Sequence, residues 1–363
     1  MEWDELVKTQ NGHPLQLSGW GASKQATGAW QATHLHSGDD FAQILIRKTP
    51  LGQFGYIPRG PNFDPAFLKD LKAFARDHNL FMLRFEPNVA KSNWHHKLKS
   101  PKDHILIPNT AQLDLSKSPD ELLAAMDKKT RQYIRGGERN SSLKVRQATK
   151  DDLPRILEVY HETAKRSNFP LHVDTYYTTI YEKMGSANHI YVAEITDPET
   201  GKSQVEAFLW CAKTPAICFE LYGGASALGL KHRANYLLKW ITIQRARGGC
   251  PQPGPEGLSE PTGAYCCSRE PQARRPSETA STRNDGLDER RARRTDCGSR
   301  LYDLNGLLND GISDFKRGFT GGTQVELAHT SDLVVNSFRY FLFATFLPLA
   351  KRFFSARRTS SNS

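Results

Sequence analysis

The order of apolar segments between Leu143 and Tyr222 constrains this chain more than any other feature. Leu143 to Ala148 alternates like a strand, and Asp152 to Arg166 and Tyr176 to Met184 show helical spacing. Three apolar runs follow: His189 to Ile195, Val205 to Cys211 and Ala216 to Tyr222. A β-α-α-β-β-β order places the chain in the mixed α/β class. The sheet is completed further on. Leu301 to Leu304 reads as a short strand that breaks at Asn305-Gly306, crosses a polar loop, enters Phe315-Lys316-Arg317-Gly318-Phe319 and stops at Gly321-Gly322. A buried strand ending in Gly and polar residues sets the next side chains at the rim of a sheet, where substrates bind.

The first half repeats the alternation. PLQLSGWGASKQATGAWQ joins an apolar start to a Gly- and Ser-rich turn, Phe41 to Ile46 and Gly52 to Ile57 are strands, Pro65 to Asn79 is helical, and FMLRFEP is a strand. Ile105 to Leu115 leads into one helix opened by a capping box, Ser118 with Glu121, and Pro119 at its first position; Lys128, Lys129, Arg131 and Arg135 crowd its last turns. The β-α-α-β-β-β order is that of an N-acetyltransferase-like domain. The expected fold is therefore two acetyltransferase-like (GNAT-type) α/β domains. Residues 1–140, completed by 325–347, form the first and residues 141–324 the second.

Length and charge bound the function. The 363 residues suffice for two domains, and a net charge of +10 favours anionic partners. MEWDELVKTQNG carries two Glu and an Asp and does not read as a signal peptide, and no run reaches the roughly 18–20 apolar residues of a membrane span. Cys211 and Cys218 lie in apolar runs and read as reduced core residues. The expectation is a cytoplasmic protein at work in the cell interior or at the inner face of the plasma membrane.

Residues 250–300 break the pattern. Positions 251–300 hold nine Arg and no Lys, six Pro, and no Val, Ile, Phe, Trp, Met or His. Such a stretch cannot bury a core and reads as a disordered insertion, with the composition of a shifted or foreign reading frame. Cys250, Cys266, Cys267 and Cys297 lack the paired spacing of zinc ligands, so no metal is expected.

Several residues are site candidates on their own chemistry. Lys316 sits between Phe315 and Phe319, where partial desolvation strengthens its field; a surface cation beside core phenylalanine is the other reading. Lys24 follows Gly21 and suits a phosphate, or is a solvated loop lysine. Arg59 and Asp64 are either site residues or an internal ion pair. Glu86 orients or deprotonates an amine, or is a satisfied structural acid. Tyr236 is a substrate contact or core.

Five blocks in order, Trp20-Gly21 to Trp30, Gly55 to Asp64, Leu113 to Arg135, Tyr222 to Trp240 and Tyr302 to Gly322, resemble the FemXAB family of peptidoglycan-bridge aminoacyltransferases. The resemblance implies transfer of an amino acid from aminoacyl-tRNA to the stem peptide of a peptidoglycan precursor, lipid II or UDP-MurNAc-pentapeptide, with no cofactor. It implies Lys316 as the oxyanion stabiliser and Glu86 near the acceptor peptide. Lys24, with Lys231 or Arg233, would hold substrate phosphate, and Arg59, Asp64, Tyr236, Tyr302 and Phe315 would contact substrate. DKKTRQYIR, with its basic helix end, would face tRNA or solvent. Two other functions stay open. A coenzyme A-dependent N-acyltransferase needs a pyrophosphate-binding run where this chain has only Ser226-Ala227-Leu228-Gly229-Leu230. An inactive tRNA- or membrane-binding homologue would bind without turnover. Residues 334–358 are aromatic and basic, with Tyr340 to Ala350 apolar, and either lie on an anionic membrane or pack on the first domain.

Overall fold

The computed structural model describes residues 2–101, 103–248, 298–308 and 310–345. The first sheet has five strands in the order β1-β2-β3-β4-β13. These are β1 (Gln31–Ser37), β2 (Asp40–Thr49), β3 (Gly52–Pro58), β4 (Leu80–Glu86) and, returning from the far end of the chain, β13 (Ser331–Val334). The second sheet has six, β6-β11-β10-β9-β8-β7. These are β6 (Gln112–Asp114), β7 (Leu143–Gln147), β8 (Asn188–Thr196), β9 (Ser203–Lys213), β10 (Ile217–Ala225) and β11 (Leu301–Asp303). A short pair, β5 (Asn109–Thr110) with β12 (Val325–Glu326), links the halves. This is the expected α/β class with two GNAT-type domains.

Each sheet holds one parallel pair among antiparallel neighbours, β3 with β4 and β10 with β11. The second of these builds the site. β10 and β11 pair over only three residues, Ile217 to Phe219 against Leu301 to Asp303. β11 then ends while β10 runs on to Ala225 with a bulge between Glu220 and Tyr222. Past that point the two strands no longer pair, and residues from Glu220 to Ala225 and Asn305 line a cavity between them.

Several parts of the fold differ from the sequence reading. The Gly- and Ser-rich turn around Lys24 is helix α2 (Ser18–Ala26), after α1 (Trp3–Thr9). Strand β1 was not foreseen. The single helix opened by Ser118 is two. The capping box is present and starts α4 (Pro119–Ala125), but the chain turns at Met126 and α5 (Lys128–Glu138) begins. Lys128 and Lys129 thus stand at a helix start, where the dipole disfavours cations, not at its end. The run after Tyr222, which reads as one long helix beginning near Ala225 to Gly229, is also two, α8 (Ala227–Lys231) and α9 (Ala234–Arg247), separated by Arg233 at φ 54°. Finally, elements before residue 141 join the second sheet and its core. β6 pairs with β11, and Leu113, Leu115, Leu122, Met126 and Ile134 share one core with Leu238, Trp240 and Phe319.

The two units also share a core. Leu6, Leu15, Leu17 and Trp20 pack with Ile156, Ile180, Trp210 and Phe219. The residues read as an insertion lie almost wholly outside the described residues, as do their four cysteines. The described ends flanking them are adjacent. Ser299 donates its backbone N–H to the Ala246 carbonyl at 2.8 Å, so α9 leads into β11 across a joint that closes without the intervening segment. Cys211 and Cys218 are buried free thiols. Among the described residues no helix is long and apolar enough to cross a membrane.

Candidate active site

Two cavities meet where β10 and β11 part. One, of about 420 Å³, is lined by Glu220, Gly223, Gly224, Lys239, Phe315 and Lys316 among others. The other, of about 900 Å³, lies toward the first domain and is lined by Trp20, Lys24, Trp30, Arg47, Tyr56, Ile105, His172 and Tyr176 among others. Leu221, Tyr222 and Asn305 line both. They form a common wall.

Lys316 comes from helix α10 (Gly311–Thr320), which Asp310 caps by accepting from the Ser313 N–H and which Gly321, at φ 58°, ends. The strand, the break at Asn305 and the stop at Gly321 expected from the sequence are present, and the stretch between them, for which no helix was expected, is helical. Lys316 Nζ donates to the carbonyls of Asn305 at 2.6 Å and Gly306 at 3.1 Å. An ammonium has three donors, so one remains for the cavity. Burial lowers this ammonium to about 8, with Glu220 acting in the opposite direction. The turn that holds it is itself held. Asp303 accepts from Thr110 Oγ1 at 2.5 Å, Gln112 Nε2 at 2.8 Å and the Asn305 N–H at 2.7 Å. Asn305 adopts φ 55° there, a left-handed conformation that asparagine tolerates.

Beneath Lys316 lies a buried ion pair that the sequence reading missed. Lys239 Nζ is 2.5 and 2.7 Å from the two carboxylate oxygens of Glu220, and Tyr302 Oη donates to the same carboxylate at 2.9 Å. Lys239 also lies over the rings of Phe315 (5.1 Å) and Phe319 (5.7 Å). The signal was a lone lysine in the apolar helical run Leu237-Leu238-Lys239-Trp240 and a lone acid in the apolar strand Phe219-Glu220-Leu221.

In the larger cavity Lys24 is buried on aromatic faces, its Nζ 3.7 Å from the Trp20 ring centre and 4.4 Å from that of Tyr176, with a hydrogen bond to Tyr176 Oη. Among the described residues it makes no ion pair with a carboxylate. Burial alone lowers its ammonium to about 7. A lysine so placed gains most from an incoming anion.

The other candidates divide. Phe315 lines the smaller cavity and packs edge-on against Phe319 and Tyr236. Tyr236 is half-buried in that aromatic cluster, also against Tyr133. Tyr302 is fully buried under the sheet and holds Glu220 instead of reaching substrate. Glu86 is a satisfied acid. It accepts from Tyr56 Oη, the Ile105 and Leu106 N–H groups and Thr330 Oγ1, and it fixes the segment that walls the larger cavity without lining it. Arg59 is buried, donates to the Ile107 carbonyl at 2.9 Å, and makes no ion pair with Asp64, which is exposed and accepts from the Ala66 N–H at 2.7 Å. Lys231 and Arg233 are exposed and line neither cavity; Arg233 stacks on Tyr133 at 3.7 Å. The start of α8 is closed to a coenzyme pyrophosphate. Ser226 Oγ accepts from the Gly229 N–H at 3.0 Å and bonds the Glu206 carboxylate, which would repel an anion there.

Comparisons with known proteins agree with this architecture. Residues 94–203 match the model of the FemAB family. The crystal structure of FemX superposes with a TM-score of 0.72 at 17% identity, covering 94% of this chain and 98% of that one. The C-terminal domain (DUF2156) of a protein assigned as a lysylphosphatidylglycerol synthetase from Agrobacterium fabrum aligns with a TM-score of 0.50 at 13% identity, covering 95% of each chain. No curated protein matches the sequence.

Proposed function

We propose that this chain, a member of the FemXAB family, is an aminoacyltransferase that moves an amino acid from aminoacyl-tRNA to the stem peptide of a peptidoglycan precursor, lipid II or UDP-MurNAc-pentapeptide. The observation that carries this reading is the common wall of Leu221, Tyr222 and Asn305, with the desolvated lysines Lys316 and Lys24 in the two cavities it divides. A transferase joining two large substrates needs two approaches to one point, and both substrates here are anionic.

In the reaction the acceptor amine attacks the ester carbonyl of the aminoacyl-tRNA. The new C–N bond forms as the ribose oxygen departs, and the proton lost by the amine ends on that oxygen. The ester is already activated, so the step needs no ATP. Negative charge develops on the carbonyl oxygen, and Lys316, which lines the smaller cavity and has a donor beyond those given to Asn305 and Gly306, stabilises it. Lys24 holds phosphate of the acceptor against Trp20 and Tyr176. Glu86 has no free oxygen for the amine; its role is to hold Ile105 and Leu106 in place.

The test is transfer of radiolabelled amino acids from a total aminoacyl-tRNA pool to purified lipid-linked and nucleotide-linked precursors. Label on either precursor is expected, and its identity names the donor. A folded protein that labels neither would overturn the reading.

Lys24 gives a second, simpler expectation. Anion binding requires its protonated form, and in the free protein that form is lost above about pH 7. Sulfate, whose charge is constant in this range, should therefore bind less tightly as pH rises, by about tenfold per unit once one proton must be taken up. Calorimetric titration checks this, and Lys24→Met should leave weak binding with no pH dependence.

A further inference from the structure

The last described helix, residues 337–345, has two unlike faces. Tyr340 and Phe343 are buried on the first sheet with Leu45, Phe54, Tyr56 and Phe81. Phe338 and Phe341 point away and are 71% and 62% exposed. Their spacing of three sets them side by side on one helix face. Single exposed apolar side chains are ordinary, but adjacent exposed aromatics beside cations mark a contact surface.

The cations are present. Phe341 and Tyr340 line a groove with Lys97 and Lys99, both exposed. The Lys99 ammonium lies 5.8 Å from the Tyr340 ring centre. The nearby acids, Asp103 and Asp332, are both taken by Arg84, so among the described residues neither lysine has a carboxylate partner. The sequence extends the same chemistry. After Asp332 the chain has no acid, and it adds Arg339, Lys351, Arg352, Arg357 and Arg358 along with Phe346, Phe353 and Phe354.

We propose that this aromatic and basic face docks on an anionic lipid surface. Phe338 and Phe341 enter the boundary between headgroups and acyl chains, and Lys97 and Lys99 meet the headgroup phosphates. An acidic protein would satisfy the lysines but offers no general reason for two phenylalanines this exposed among the described residues. The inner face of the same helix packs on Leu45 and Tyr56, which also wall the larger cavity, so docking brings that cavity's domain to the bilayer. The proposal stands independently of the transfer reading, because its readout is binding.

The test is co-sedimentation of the full chain with vesicles of phosphatidylcholine alone or mixed with phosphatidylglycerol. Binding to the anionic vesicles only is expected, weakening as salt is raised. Phe338→Ser with Phe341→Ser should weaken it by more than about tenfold. Lys97→Gln with Lys99→Gln should weaken it by about fivefold per lysine. Circular dichroism would show that both variants fold. Equal partition to both vesicle types, no binding to either, or unchanged binding by both double variants would overturn the proposal.

Discussion

Lys316→Met should lower amino-acid transfer by about 10²–10³-fold while leaving the fold and its stability intact. The side chain keeps its length and its contact with Phe315 and the cavity, so packing is conserved. What disappears is a charge held by two neutral carbonyls, those of Asn305 and Gly306. Because those acceptors are fixed by the turn that Asp303 organises, the ammonium needs no rearrangement when charge develops on the ester oxygen. The pH profile separates this role from a structural one. The descending limb of the wild-type rate should follow deprotonation of Lys316 near about 8, since the neutral amine no longer stabilises an oxyanion. The residual rate of the Met variant should lack that limb. A variant that transfers at the wild-type rate would remove Lys316 from the mechanism.

The local signals in the sequence were sound where short-range physics decides. The capping box at Ser118 and Glu121, the helical spacing that becomes α3 (Phe67–Asp77) and the strand order from Leu143 to Tyr222 all depend on neighbours in sequence, and each is present. The misreadings arise where distant chain decides. Gly19 and Gly21 look like turn residues, yet they sit inside α2. A Cβ on Gly19 would lie 2.3 Å from the Lys183 carbonyl oxygen, and one on Gly21 2.3 Å from Gln43 Oε1. These glycines permit close packing of α2 on the second domain and on β2, which no local propensity reports. The break between α4 and α5 has a similar origin: the Asp127 N–H donates to the Gly318 carbonyl across the fold.

The same distinction runs through the site. Lys316 and Lys24, which line the two cavities, are singled out in the sequence by the glycine and aromatic residues near each of them. For Tyr302 and Glu86 the sequence does not decide, because a polar group at a strand end looks alike whether it faces substrate or satisfies buried donors. Only the partners tell them apart. Lys239 and Glu220 escaped notice because each is a single charge in an apolar run, and the sequence does not show that two such charges meet.

That pair supplies the second large effect. Lys239→Met should destabilise the protein by about 3–5 kcal/mol, read as a lower denaturant midpoint, because it strands the Glu220 carboxylate in the core. Tyr302 Oη alone cannot replace an ammonium that contacts both carboxylate oxygens. Activity should fall as well, for a separate reason. Glu220 and Lys316 line the same cavity, and Lys239 and Glu220 act on the Lys316 ammonium in opposite directions. With Lys239 gone, the freed carboxylate draws Lys316 away from the carbonyl oxygen and raises the pH at which it deprotonates. The descending limb of the rate profile should therefore move to higher pH even as the rate below it drops. Glu220→Gln combined with Lys239→Met removes both charges, leaves an amide that still accepts from Tyr302, and should recover most of the stability and part of the rate. Recovery of stability without any recovery of rate would show that Lys239 acts on the reaction directly, through the positive field it adds beneath Phe315. Failure to recover either would mean that the cost of Lys239→Met lies in lost packing against Phe315 and Phe319 and not in the stranded carboxylate.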